Sequence, residues 1–384
     1  MDFGFTDEQL AVSEAALAIF EGIVDPERIA AIEQGDDRMD RDLWRALAGA
    51  DLLGLAIPTE QGGGGYGLTE LCLLLETQGR TVAPVPLWTT LVLGALPVAH
   101  FGSDTVRARW LPGVVSGDTV LTAALNAAAT SLTSSPVVTA AARGDGREGW
   151  VLHGTELAVP NAHLASRILV PAQTQSGGVV IVLVDPSAEG VSLERAETTN
   201  REIHPHLHLA GTRVGSDEIL AGPDVGRWAV DYLLTAATIA LCALQVGVCE
   251  AALERTAEYL NTRHQFGRPL SSFQGTMLRA ADGAIDIEAM RVTWQNAAWR
   301  FDTGRDAADA ARVAKWQASE RGQRAVHATQ HLHGGVSADI SYPIHRYFLW
   351  GKQIELMLGG PSAQLARIGA AIAEEALVAE ETES

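Results

Sequence analysis

The sequence predicts an α+β chain built as a helical N-terminal zone, a β-rich middle and a C-terminal four-helix bundle. Three observations carry that prediction. Apolar residues recur at helical spacing from Thr6 onward, and short β-rich runs separated by turn residues fill the stretch from Asp118 to about Gly222. Long apolar or amphipathic segments return from Asp224. The domains expected are residues 1–115, 116–222 and 223–384.

In the first zone Leu10, Ala16, Leu17, Phe20 and Ile23 keep to a spacing of about 3.6 residues, and Asp42 to Leu53 forms a second amphipathic stretch. Four glycines, Gly62 to Gly65, mark a turn before a helix that starts near Thr69. In the middle zone Val120 to Leu125, Val137 to Ala142, Trp150 to His153, Ile168 to Pro171, Val179 to Val184 and Leu207 to Leu209 read as strands of a small antiparallel domain. Beyond it, helices are expected at 224–261, 272–303, 306–334 and 345–377, the count of an antiparallel bundle. Tyr232 to Cys249 is almost wholly apolar, but Thr235, Thr238 and Gln245 interrupt it. Crossing a bilayer takes roughly 20 strongly apolar residues. A helix buried on all sides within the bundle is therefore expected, without a membrane partner.

The chain has 384 residues, 47% of them apolar and 20% charged, enough for two or three domains with substantial cores. A net charge of −19 and a pI near 4.9 oppose non-specific binding to nucleic acid or to an anionic membrane, so an anionic ligand needs a local basic patch. Cys72, Cys242 and Cys249 sit in apolar helical surroundings without metal spacing. With no basic start or apolar signal core over Met1 to Glu8, they read as reduced core residues of a cytoplasmic, metal-free protein.

The most informative stretch is Arg263-His264-Gln265-Phe266-Gly267, which ends the long apolar segment and leads into Arg268-Pro269-Leu270, Phe273 and Gln274. An arginine at a helix end, beside a turn glycine and an aromatic ring, can grip a diphosphate bidentately and pack on an adenine. It can equally cap the last carbonyls of its own helix. Downstream stand His331-Leu332-His333-Gly334-Gly335 and then Tyr342-Pro343. In this order and spacing the segments resemble the flavin-binding motifs of the acyl-CoA dehydrogenase family. The resemblance runs over nearly the whole chain and is strongest from Asp224 onward.

The resemblance implies the acyl-CoA dehydrogenase fold, with FAD at a dimer interface: its isoalloxazine lies between β-domain and bundle, and its ADP portion reaches into the neighbouring subunit. On that plan Arg263 holds the pyrophosphate, Gln265 and Phe266 flank the adenine side, and Gln274 lies close by. Gly334 and Gly335 let the backbone approach the diphosphate, while His331 stands where the family usually has glutamine. Ser362 and Gln364 correspond to a polar pair that touches flavin. The implied reaction oxidises an acyl-CoA to its trans-2-enoyl thioester: a carboxylate removes the α-proton while the β-hydride leaves for the flavin. Electron-transfer flavoprotein is the implied acceptor.

The chain departs from the family where that carboxylate should be. Counting from Tyr342-Pro343 reaches Leu358, counting back from Arg367 reaches Gly360, and the family's second location falls on Ala237. None of these can take a proton. Glu355, one turn before Leu358 on a continuous helix, is the remaining catalytic base; its other reading is an i, i+3 ion pair with Lys352. The β-domain departs too. Leu125 to Thr130 replaces the family's Thr-Glu-x-x-x-Gly-Ser cradle, and Glu156 to Asn161 replaces Lys-x-Trp-Ile-Thr-Asn, with Ala158 losing the stacking ring and Pro160 a backbone donor. These losses fall in the half-site a subunit builds for its own flavin ring, and the features serving a neighbour's flavin are kept. The expectation is a base-lacking subunit paired with a related acyl-CoA dehydrogenase chain in an α2β2 complex. This resembles the partner subunits of actinobacterial heterotetrameric steroid-CoA dehydrogenases, acting on a steroid side chain or other bulky acyl-CoA. A homotetramer using Glu355, a flavin-dependent monooxygenase of the same fold and a pure scaffold remain as alternatives.

Overall fold

The computed structural model describes residues 4–130, 135–144 and 148–383, with side chains as far as Glu374. The N-terminal helices begin where short polar side chains satisfy their first free amides. Thr6 and Gln9 form a reciprocal capping box on α1 (Asp7–Ile23), Asp25 caps α2 (Pro26–Ile32) and Asp40 caps α3 (Arg41–Gly49). After the glycine run comes α4 (Leu68–Thr81), whose cap position is Gly67 and so carries no side chain. Its cap comes from 234 residues away: Asp302 accepts from Leu68 N at 2.8 Å and Thr69 N at 3.0 Å. A π-helical segment, Trp88–Ala95, then runs into α5 (Leu96–Phe101) and α6 (Asp104–Val115).

The middle zone holds β1 (Leu121–Ala123), a short α7 (Asn126–Thr130), β2 (Val138–Ala142), β3 (Gly149–Glu156), β4 (Arg167–Thr174), β5 (Val179–Val184), β6 (Val191–Glu194), β7 (His206–Gly215) and β8 (Ile219–Ala221). The strand order is β6-β7-β3-β2-β4-β5-β8, with β1 added beside β4. The sheet is mixed, not wholly antiparallel. After the β2–β3 hairpin the chain returns through residues 157–166 and enters β4 parallel to both β1 and β2. Strand β5 shows the period of two plainly: Val179, Ile181 and Leu183 face the helical core, and Val180, Val182 and Val184 face the core of the sheet itself.

The C-terminal zone contains α8 (Gly226–Thr262), a hairpin of β9 (His264–Gln265) and β10 (Arg268–Pro269), then α9 (Gln274–Asp302) and α10 (Ala308–His333). The apolar run in α8 lies inside the helical core, as its composition predicts. The fourth expected helix is two helices, α11 (Ile344–Leu356) and α12 (Pro361–Glu383). The chain breaks at Leu358 (φ 55°) and Gly359 (φ 91°), left-handed conformations that no helix continues through.

Helices α4 and α8 cross at two glycines, with backbone against backbone. A Cβ on Gly247 would stand 1.9 Å from the Glu76 carbonyl oxygen, and one on Gly79 2.3 Å from that of Leu244. Around the crossing Arg291 bonds to Glu76 and Glu250, and Arg80 to Glu250 and Glu254, tying α4, α8 and α9 together. Gly247→Ala is expected to cost about 3 kcal/mol, at the upper end of ordinary overpacking, because backbone cannot rotate aside. Urea unfolding would read the loss as a lower midpoint; an unchanged midpoint would mean that the crossing is loose.

Candidate functional site

The structure separates the sequence-predicted site residues into two groups. The first gathers at one end of the bundle, where α8 ends, α9 begins and α10 ends. Arg263 terminates α8 with its amide bonded to the Tyr259 carbonyl, while its own carbonyl accepts from Leu270 N at 2.9 Å. Its side chain is exposed, and it makes no hydrogen bond or ion pair among the described residues. It therefore does not cap its own helix. Gln265 pairs with Arg268 across a two-residue turn, and both turn residues, Phe266 (φ 55°) and Gly267 (φ 80°), are left-handed as a type I′ turn demands. Holding a phenylalanine there costs about 1–2 kcal/mol. Yet the ring it presents is 90% exposed, touching only the edge of Phe273 at 6.2 Å. Arg268 lies over the other ring, 4.0 Å from the Phe273 centroid. Gln274, the first residue of α9, is exposed beside this turn.

The glycine pair is tied to the arginine turn through an aromatic stack. His333 is buried, stacks on Tyr259 at 4.6 Å and leans on Tyr342 at 5.4 Å. Its Nδ1 donates to the Thr329 carbonyl at 2.9 Å, and burial lowers its pKa, so the ring is neutral. Gly334 follows with φ 65° and ψ −144°, a conformation open to glycine alone. Added Cβ atoms on Gly334 or Gly335 would meet nothing within 4 Å, so this backbone is clear for a ligand. His331 is exposed on the same turn, whereas Gln330 is committed inward, donating to the Ser337 carbonyl at 2.8 Å.

Glu355, Ser362 and Gln364 form the second group at the other end. Lys315 marks the distance: its ammonium binds the Ile354 and Glu355 carbonyls and Ser319 Oγ at 2.8–3.0 Å. It stands 18 residues before His333 on α10, roughly 27 Å at about 1.5 Å per residue. The Glu355 expectation meets a different geometry. It assumed a helix continuous to Leu358, but α11 ends at Leu356, and the Glu355 carboxylate is buried in an ion pair with Lys352. Glu355 does not line the cavity between sheet and bundle; Leu358 does. Gln364 is likewise turned inward, its amide nitrogen bonded to the Leu358 carbonyl at 2.9 Å, where it braces the break between α11 and α12. Ser362 is exposed at the start of α12.

That cavity measures about 140 Å³ and is walled by Trp88, Leu93, Leu125, Met357 and Leu358, with Ala158 and Pro160 at its strand side. Clefts that enclose cofactor-sized ligands run to roughly 300–1,000 Å³. Alongside lies α7, whose first residue, Asn126, also lines the cavity. Its carbonyls at Ala128 and Ala129 are clasped by Arg367 of α12, and its Ala127 amide donates to Glu156 at 3.3 Å. At the family's alternative base position, the Ala237 carbonyl accepts the Trp88 indole at 3.1 Å. Trp88, His204 and Gln353 carried no local sign in the sequence, because only long-range folding brings them here.

Burial pushes the Glu156 carboxyl up to about 7, against the small opposing effect of the Ala127 amide. The folded chain thus binds a proton that the unfolded chain, near 4.5, releases. This stability is complete below the unfolded value and is lost as pH rises through about 7. Glu156→Gln keeps a neutral acceptor, so it is expected to leave stability at pH 4.5 nearly unchanged and to raise it at pH 8 by about 2–3 kcal/mol. Thermal melts across that range check this, and equal effects at both ends would refute it.

With this geometry in hand, comparison with known proteins is direct. Models of the acyl-CoA dehydrogenase N-terminal and C-terminal domains match residues 6–118 and 226–373. Acyl-CoA dehydrogenase FadE27 of Mycobacterium tuberculosis is 38% identical over 383 residues, covering 97% of this chain and 99% of that protein. Among solved structures, a variant of the Tcur3481–Tcur3483 steroid ACAD is 46% identical with a TM-score of 0.89. The ChsE4–ChsE5 complex from Mycobacterium tuberculosis is 39% identical, also at 0.89; each covers 97% of this chain and 99% of its own. The chain belongs to the acyl-CoA dehydrogenase family, oxidoreductases whose cofactor is FAD.

Proposed function

We propose that this chain is the base-lacking subunit of a heteromeric acyl-CoA dehydrogenase, and that it completes a flavin site whose ring pocket and glutamate belong to a related chain. The carrying observation is the contrast between its two ends. The cleft between sheet and bundle, where a flavin ring would lie, measures only about 140 Å³ and has Leu358 on its wall, below the roughly 300 Å³ at which ligand clefts begin. The edge that would meet the dinucleotide does fit, with an unpaired arginine, an outstretched phenylalanine and an unobstructed glycine turn.

In this reading the Arg263 guanidinium holds the diphosphate with paired charge-assisted hydrogen bonds, and Phe266 and Gln274 cover the adenosine end. The Gly334–Gly335 backbone closes on the phosphates where a side chain would collide. The bound FAD supplies the hydride acceptor. This chain's residues hold it in place, and the α-proton is removed by the partner's carboxylate. The relatives that include a steroid ACAD favour a steroid side chain or another bulky acyl-CoA as substrate. The cytoplasm as location and electron-transfer flavoprotein as acceptor go with this assignment. Glu355 as base is disfavoured by its ion pair and by its absence from the cavity wall.

Co-purification with a related, glutamate-bearing chain tests the proposal. One FAD per heterodimer is expected, with little or none on this chain alone. Arg263→Ala should weaken FAD retention about 10–100-fold, the scale of a lost bidentate ionic contact. Glu355→Gln should leave turnover of the complex within a few-fold, whereas loss of a true general base costs about 10²–10⁴-fold. A yellow, active homomer with one flavin per chain would refute it.

A further inference from the structure

We infer that Arg268 is a second dinucleotide-binding residue, acting beside Arg263 so that each guanidinium meets one phosphoryl group of the FAD diphosphate. This rests on the proposal that the edge grips FAD, and adds to it a residue and a charge requirement. Strand register carries it. Gln265 stands opposite Arg268 in the β9–β10 hairpin, and His264 opposite Pro269. The Arg263 carbonyl accepts from Leu270 N at 2.9 Å, which continues the same pairing one residue further. Arg263 is itself extended, with φ −80° and ψ 119°. Side chains alternate along a strand, and directly opposed residues share a face. Arg263, Gln265 and Arg268 therefore stand on one face of the hairpin, with His264 and Pro269 on the other. The two arginines are diagonal neighbours across it, a backbone separation of roughly 7–8 Å that side chains of their length span.

Two like charges on one face repel unless something takes them up. Neither guanidinium makes an ion pair among the described residues, and both side chains are exposed. No Asp or Glu occurs from Tyr259 to Ala281, although the chain holds 47 of them in 384 residues. The hairpin is thus the local basic patch that so acidic a chain needs in order to hold an anion. Arg268 is also steadied for the task. Its guanidinium lies 4.0 Å from the Phe273 centroid. Packing on a ring occupies the flat face of the group and leaves the N–H donors at its edge for a ligand. The FAD diphosphate carries a negative charge on each phosphoryl group, and one arginine fork matches one such group.

The complex co-purified with a related, glutamate-bearing chain is the material, and release of flavin on dilution, followed by fluorescence, gives FAD retention. Arg268→Gln is expected to weaken retention about fivefold at about 0.1 M salt. That loss should shrink to about twofold at about 1 M, where the screening length has fallen from about 10 Å to about 3 Å. Arg268→Lys keeps the charge and should stay within about threefold of the native complex at the lower salt. Arg263→Ala separates the two claims. If that complex also keeps its flavin, the dinucleotide reading falls and this assignment with it. If it loses flavin while Arg268→Gln does not, or if the Arg268→Gln loss is the same at both salt concentrations, Arg268 only shapes the hairpin and the assignment is overturned.

Discussion

Two glycines set the frame on which everything else is hung. At Gly79 and Gly247 the backbones of α4 and α8 touch without intervening side chains, and no other residue type fits. Because α4 belongs to the N-terminal zone and α8 begins the bundle, this crossing fixes one set of helices against the other. The Arg80 and Arg291 ion pairs then clamp the approach from its rim. Asp302 adds a second tie by capping α4 from the far end of α9. The position of α8 in turn places Arg263 at one end of the bundle, and that of Ala237 beneath Trp88. Both ends of the candidate site are consequences of one close contact.

The fold was largely legible from the residues. Periodicity located the long helices because each presents a stripe, or in α8 a whole circumference, to the core, and β5 alternates as a strand between two cores must. The sheet's parallel pairings were not legible, since strand direction depends on where the chain re-enters after β3. The break in the last helix was missed because Leu358 is an ordinary helix former. Its left-handed φ is imposed by tertiary contacts, among them the Gln364 amide that binds its carbonyl. That single break removed the premise behind Glu355. The arginine and glycine turns were legible because they are local in sequence, and the β-domain substitution at Ala158 drew attention to a position that does line the cleft. The clasp of α7 by Arg367 could not be read, since it joins positions 238–239 residues apart.

The two ends of the chain differ in what they leave unfinished. At the arginine turn the structure tolerates strain at Phe266 and leaves the Arg263 guanidinium without a partner among the described residues. At the cleft the opposite holds: mostly apolar side chains close in on a small cavity. Strain and vacancy on a surface point outward to another molecule. Compaction with a residual pocket points inward.

The clasp of Arg367 on α7 also bears on evolutionary history. On the proposed reading, a carboxylate introduced at position 358 would face a small cavity that Asn126, the first residue of α7, also lines. Recovering an independent reaction centre would need the clasp undone, the short helix unwound and the aromatic strand rebuilt, with no selectable benefit from any step taken alone. On the proposed heteromeric reading, divergence of this kind works as a ratchet: space that is packed and contributes to folding is not easily reopened.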